Sequence, residues 1–143
     1  MKLDSKIWGP HYWFFLHTAA MSYPVTPNDT VKKKFYDFIQ NFPLFIPDMK
    51  MASSFSKILD KYPVSPYLDS KDSLTRWTHF IHNKINKKLE KQEISLEKFY
   101  TEYYKSYETV TEKQINYIKT KKHIAYAVIL LIFIGIIYNF YNS

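Results

Sequence analysis

The sequence contains no cysteine. That absence excludes disulfides, thiolate nucleophiles, and zinc or iron–sulfur sites held by cysteine. It also leaves the redox compartment unreadable, because a chain without thiols persists anywhere. Glycine is nearly as scarce, with two in 143 residues. A phosphate-cradling loop or a β-rich domain draws on glycine for left-handed backbone positions, so the fold class is all-α, with helices joined by proline-marked turns. No named nucleic-acid-binding motif occurs and the aromatic residues recur at core-like spacing, so no nucleic acid is expected as a partner. The N-terminus, "MKLDSKIWGP", lacks an apolar core segment, which predicts no signal peptide.

Positive charge is present in excess, with 20 Lys and Arg against 13 Asp and Glu, a formal net charge of +7. It falls in three clusters: Lys32 to Lys34; Lys84, Lys87, Lys88 and Lys91; and Lys119, Lys121 and Lys122. The last cluster precedes "IAYAVILLIFIGIIY", Ile124 to Tyr138, whose apolar character continues to Tyr141. A bilayer crossing needs about 20 mostly apolar residues, and a core helix of a small domain would keep one polar face, which this segment lacks. Tyr126 at one end and Tyr138 and Tyr141 at the other suit the interfacial aromatic belts. A transmembrane anchor is therefore expected over residues 123–141, following a basic polar stalk over 107–122. The lysines before it predict a tail-anchored, single-pass chain whose N-terminal domain is cytoplasmic.

Helical periodicity divides the remainder into five segments. The first runs from about Trp8 to Ser22 and stops at Tyr23-Pro24. The second follows a cap at Asn28-Asp29 and carries Val31, Phe35, Phe38, Ile39 and Phe42 on one face. The third starts at Asp48, with Met51, Phe55, Ile58, Leu59 and Tyr62 in helical register, and ends at "YPVSPYL". The fourth spans about Ser70 to Lys91 and buries Leu74, Trp77, Ile81, Ile85 and Leu89. A shorter fifth begins at Ser95. Short connections make such helices antiparallel neighbours in a bundle over residues 1–106.

Polar residues interrupt two of the apolar stripes. Trp13 and His17 share one face of the first helix, and His82 and Asn86 share one face of the fourth, with Asn83 beside them. Polar groups at such positions need partners. Either they satisfy one another across the bundle, or they hold a flat heteroaromatic ligand whose phosphates Lys88 and Lys91 neutralise.

The segments "WGPHYWFFLHTAAMSYP", "FIPxxKxxxxFSKILDKYPV" and "WTHFIHNKINKKLEK" together resemble the Erv/ALR family of FAD-linked sulfhydryl oxidases, particularly the short single-domain forms encoded by large DNA viruses. The resemblance runs from about Lys6 to Tyr104 in the family's order and spacing, with Ile85 standing for the family's valine. It implies a four-helix bundle with a short fifth helix, dimeric, with FAD at the mouth of the bundle. The family's flavin-contacting positions fall on Trp8, Gly9, Trp13, His17, Tyr23, His82, Asn83, Ile85, Asn86, Lys88 and Lys91. In such enzymes a C-x-x-C pair at the start of the third helix passes electrons from substrate dithiols to the flavin, which then reduces oxygen to hydrogen peroxide.

The same positions here are Asp48 and Met51, and a histidine common shortly after the pair is replaced by Ser54. Dithiol oxidation needs a nucleophilic thiolate and a second thiol to close a disulfide. Aspartate and a thioether provide neither. The resemblance therefore implies a catalytically inactive, membrane-anchored paralogue serving as a structural, assembly or interaction protein that keeps FAD. The alternative is an active flavoprotein served by another donor or by a partner's cysteines. The partners so implied are a membrane, a second copy or a cysteine-bearing paralogue, and virion or other membrane proteins. The membrane so implied is a host endomembrane or a virion inner membrane. Thirteen tyrosines and eleven phenylalanines also suit an aromatic docking surface.

Overall fold

An oxygen-bearing side chain stands at the start of every helix described here and accepts a hydrogen bond from a free backbone N–H of the first turn. In the computed structural model, which describes residues 3–142, these residues are Asp4, Asn28, Asp48, Ser70, Ser95 and Thr109. They open α1 (Ser5–Met21), α2 (Asp29–Asn41), α3 (Met49–Lys61), α4 (Lys71–Lys88), α5 (Leu96–Lys105) and α6 (Val110–Tyr141). Each such cap contributes about 1 kcal/mol by satisfying donors that the helix leaves unpaired. Single 3-10 turns, Phe42–Phe45 and Ser65–Tyr67, each contain a proline and complete the connections on either side of α3. Among the described residues there is no strand. The fold is the expected all-α bundle of four helices with a short fifth, followed by a long apolar helix.

The chain divides into two compact units, one through Thr101 and one from Glu102. The first is built around a single core. Leu16 and Ala20 of α1, Ile39 of α2, Phe55 and Leu59 of α3 and Leu74, Trp77 and Ile81 of α4 are buried together with Tyr23, Phe42 and Val64. The α4 contribution follows the spacing i, i+3, i+7, one stripe of a 3.6-residue helix. Trp77 also donates its indole N–H to the carbonyl of Tyr62 at 3.2 Å, which closes the turn after α3 onto α4.

Two boundaries differ from expectation. α1 starts at Ser5 instead of Trp8 because Asp4 caps it, with its carboxylate accepting from the Lys6 N–H at 2.9 Å, and Pro10 lies inside the helix. α4 ends at Lys88 instead of Lys91. Glu90 takes a left-handed conformation, φ 55°, and the N–H groups of Glu90 and Lys91 turn back to the carbonyls of Lys87 and Asn86. This pairing is a Schellman C-cap built without glycine. Leu89, expected in the core, is consequently 42% exposed.

The second unit is dominated by α6, a helix of 32 residues opened by a reciprocal capping box between Thr109 and Glu112. The polar segment and the apolar segment after it are one uninterrupted helix. Thr111–Tyr141 is long and apolar enough to cross a membrane: its most apolar 18 residues have a mean hydropathy of 2.2, and none of that window is buried.

The cap at Asp48 is the feature most open to test, because Asp48 occupies a position that the family resemblance assigns to a redox cysteine. Replacing it with alanine removes the acceptor for the Met51 N–H, 2.9 Å away. The Asp48→Ala chain is expected to lose about 1 kcal/mol of stability, measured by urea unfolding of the detergent-solubilised protein. An unchanged midpoint would show that the carboxylate contributes nothing as a cap.

Candidate functional site

α1 packs along α4, and the two polar pairs expected on those helices meet at that seam. His17 is 4% exposed, and its Nε2 lies 2.9 Å from Nδ1 of His82. One ring donates and the other accepts. Trp13, one turn before His17, stacks on His82 with centroids 4.0 Å apart and planes within 11°. Phe99 of α5 approaches the ring of His17 at 4.5 Å and that of His79 at 5.5 Å. Phe55 of α3 lies 6.1 Å from Trp13. Helices α1, α3, α4 and α5 therefore all contribute a ring to one cluster.

The cluster leaves a hydrogen-bonding group unused. Among the described residues, His17 Nδ1 is the buried side-chain nitrogen or oxygen without a hydrogen-bond partner. An unsatisfied buried polar atom costs about 1–3 kcal/mol. Mutual pairing of the histidines accounts for one nitrogen of each ring and not for this one. Gly9 offers a second opening: a Cβ built there would meet nothing within 4 Å. Packing within the chain thus does not require glycine at that site, although glycine inside a helix costs about 1 kcal/mol relative to alanine.

The other expected residues are distributed around this seam. Asn86 is buried, with its amide 3.5 Å from Asn83 Oδ1. Asn83 is committed to the backbone of Ile94, donating to its carbonyl at 2.8 Å and accepting from its N–H at 2.9 Å, and His79 Nε2 lies 2.8 Å from the same carbonyl. Ile85 packs partly buried against the core. Lys88 and Lys91 are exposed, and the C-cap turn returns Lys91 toward Asn86. Trp8 donates weakly to the Leu3 carbonyl at 3.4 Å and meets Tyr12 edge-on at 5.0 Å. Tyr23 is fully buried, its hydroxyl donating to the Leu68 carbonyl at 2.9 Å and its ring edge-on to Phe35. Met51 is half-buried one turn before Phe55 on the same face of α3, and Asp48 caps that helix.

His79, Ile94 and Phe99 belong to this arrangement and were not anticipated as site residues. His79 lies at i−3 from His82 and i−4 from Asn83, so helical spacing places all three on one side of α4. Phe99 and the backbone of Ile94 arrive from beyond the C-cap and carry no such local signal. Among the described residues, no group of three or more His, Asp or Glu side chains is arranged to hold a metal ion.

Burial sets the charge state. It pulls the pKa of His17 down to about 3, helped by the nearby imidazoles of His82 and His79. It pulls His82 down to about 4, helped by His79 and the ammonium of Lys91. Both rings are neutral at physiological pH. The seam thus presents stacked aromatic faces, an unpartnered ring nitrogen and flanking ammonium groups, and it carries no nucleophile. That combination suits a planar heteroaromatic molecule with a polar edge and an anionic extension.

The fold is that of a known family. Residues 10–105 match the Erv1/Alr family, and the chain belongs to it. A probable FAD-linked sulfhydryl oxidase of Acanthamoeba polyphaga mimivirus is 32% identical over 85 residues, covering 59% of this chain and 59% of that protein. The match thus spans little more than half of that relative's length. The FAD-linked sulfhydryl oxidase of African swine fever virus is 33% identical over 113 residues, covering 79% of this chain and 90% of the relative. The crystal structure of the FAD-binding domain of Erv1 from Saccharomyces cerevisiae superposes with a TM-score of 0.62 at 33% identity, covering 66% of this chain and 88% of that one.

The neutral histidine pair makes stability depend on pH in a defined direction. In the unfolded chain both histidines take up protons near pH 6.5, whereas the fold resists protonation down to about 3 and about 4. Their contribution is complete above pH 6.5 and drains as pH falls below it, because the unfolded state then binds more protons. Urea unfolding between pH 7 and pH 4.5 is expected to show this loss. Replacing His82 with glutamine should flatten the slope by roughly 1 kcal/mol per pH unit. A slope identical in wild type and variant would show that His82 titrates normally in the fold.

Proposed function

We propose that this chain is a membrane-anchored Erv1/Alr protein that retains an FAD-binding seam, is inactive as a thiol oxidase, and works as a structural, assembly or interaction protein. The observation that carries this reading is the coexistence of an intact seam, with His17 Nδ1 buried and unpartnered, and a chain without cysteine. Asp48 and Met51, at the positions implied for the redox pair, cap and pack α3. Neither supplies a thiolate or the second sulfur that a disulfide requires.

The residues present fit FAD. His17 offers an unsatisfied ring nitrogen, Gly9 leaves open space, Trp13 and His82 provide a stacked aromatic wall, and Asn86 and Ile85 line the α4 side. Lys88 and Lys91 suit the diphosphate, and Trp8 extends the aromatic surface of α1. Tyr23 and Asn83 act through the positions they hold, since their polar atoms are committed to Leu68 and Ile94. FAD, when bound, supplies a two-electron acceptor. The neutral His17–His82 pair places no imidazolium beside it.

The proposed layout is a bundle over residues 1–106, a basic stalk over 107–122 and a transmembrane segment over 123–141. The lysines ahead of the span favour a cytoplasmic bundle, in a host endomembrane or a virion inner membrane. Large apolar side chains of α1 left exposed, Ile7, Phe14 and Phe15, suit a dimer of two copies or with a cysteine-bearing paralogue.

A second reading, electron entry from a partner's cysteines, is favoured by one local feature. Leu44, Phe45 and Met49 are 78%, 65% and 86% exposed beside Asp48, an apolar rim where another protein's thiols could dock.

Purified full-length protein in mild detergent is expected to be yellow with flavin near one per chain, and His17→Leu should lower that ratio several-fold. With a small dithiol, oxygen consumption should not exceed that of free FAD, while the Asp48→Cys/Met51→Cys variant should raise it. A colourless wild-type protein overturns FAD retention. Dithiol turnover by the wild-type chain alone overturns inactivity, and turnover appearing only with an added cysteine-bearing paralogue selects the second reading.

A further inference from the structure

Acidic side chains end at Glu112. From Lys113 to the last residue the sequence has four lysines and no aspartate or glutamate. Three of those lysines, Lys119, Lys121 and Lys122, sit within one turn of α6, followed directly by His123, and all are exposed. At about 100° per residue they spread over roughly 200° of the helix circumference, wider than one stripe. Lys121 is held over the ring of Tyr117 at 4.8 Å. None of the three has a carboxylate three or four residues away, and Lys119 and Lys122 form a like-charge i, i+3 pair. The charge is therefore left without a counter-ion by its own helix.

The height of this charge is fixed, because stalk and span are one helix. Ile124 to Tyr141 rises about 27 Å at 1.5 Å per residue, close to the hydrocarbon thickness of about 30 Å. Lys121 and Lys122 then stand at the level of the lipid phosphates. A partner helix would be met by a basic stripe on one side. Charge spread over more than half of the circumference suits a surrounding that is itself uniform, which a headgroup layer is.

We propose that Lys119, Lys121, Lys122 and His123 form a collar that binds the headgroups of anionic phospholipids, so that the chain gathers negatively charged lipid around α6 where its apolar run begins. The inference rests on α6 spanning the bilayer and adds the lipid class that the span selects. The interaction is electrostatic, worth a several-fold preference per lysine at the surface and lost with screening.

The test is lipid selectivity of the full chain reconstituted in phosphatidylcholine vesicles carrying spin-labelled phosphatidylserine or spin-labelled phosphatidylcholine. The serine label is expected to associate roughly threefold or more over the choline label, and to approach equality at about 1 M sodium chloride, where the screening length is near 3 Å. The Lys119→Gln/Lys121→Gln/Lys122→Gln variant should incorporate equally and lose the preference. Equal association of both labels with the wild-type chain, or an unchanged preference in the variant, overturns the collar and leaves the span standing. Loss of the preference in inorganic phosphate, beyond the loss in chloride at matched ionic strength, would assign the lysines to soluble phosphate and overturn lipid binding. A chain that alkaline carbonate strips from the vesicles overturns the span and the collar together.

Discussion

The hydrogen bond between His17 and His82 joins α1 to α4 at the seam where the site is built, and the surrounding residues are arranged around keeping both rings neutral and in place. Its length, 2.9 Å, requires one donor and one acceptor, so protonating both imidazoles would set two donors against each other. Burial supplies the bias against protonation, and the aromatic enclosure by Trp13, Phe99 and Phe55 supplies the burial. Charge state and packing are thus the same constraint here. The remaining nitrogen of His17 is what distinguishes this seam from an ordinary satisfied core pair, because rings of α1, α4 and α5 surround the imidazole and none offers that nitrogen a partner.

Asp48 and Met51, at the positions that the family resemblance assigns to a redox pair, suit this arrangement for a reason visible at the start of α3. A helix start wants an oxygen acceptor, and Asp48 provides it. The face of α3 that continues through Phe55 wants an apolar side chain one turn earlier, and Met51 provides a flexible one. Asp48 and Met51 therefore satisfy local demands of the helix that cysteines would meet less well.

Much of this was legible because helices encode it locally. The i, i+4 spacing of Trp13 with His17 and of His82 with Asn86 identifies the polar faces, and Asn28 and Asp48 announce their helices as caps. The end of α4 was not legible. Glu90 adopts a left-handed backbone that is ordinarily signalled by glycine, so the apolar pattern reads on through Leu89. Nor could sequence show that Asn83 spends its amide on the backbone of Ile94, or that Phe99 covers His17, since those partners lie beyond a turn whose direction only the fold sets. Tyr23 is a further case: in the sequence it marks only a helix end before Pro24, and in the fold Leu68 and Phe35 hold it in the core.

The continuity of α6 bears on what the bundle can be for. Proline and glycine are the residues that let a helix bend or break, and between Thr109 and Tyr141 the sequence has no proline and a single glycine, Gly135, within the apolar run. The basic segment has neither, so the lysines have no hinge between them and the span. In the proposed span their charge is delivered at a set depth, and the capping box at Thr109 and Glu112 marks where the helix begins. A helix without a hinge between its basic segment and its apolar run suits the proposed role of holding a position at a membrane surface.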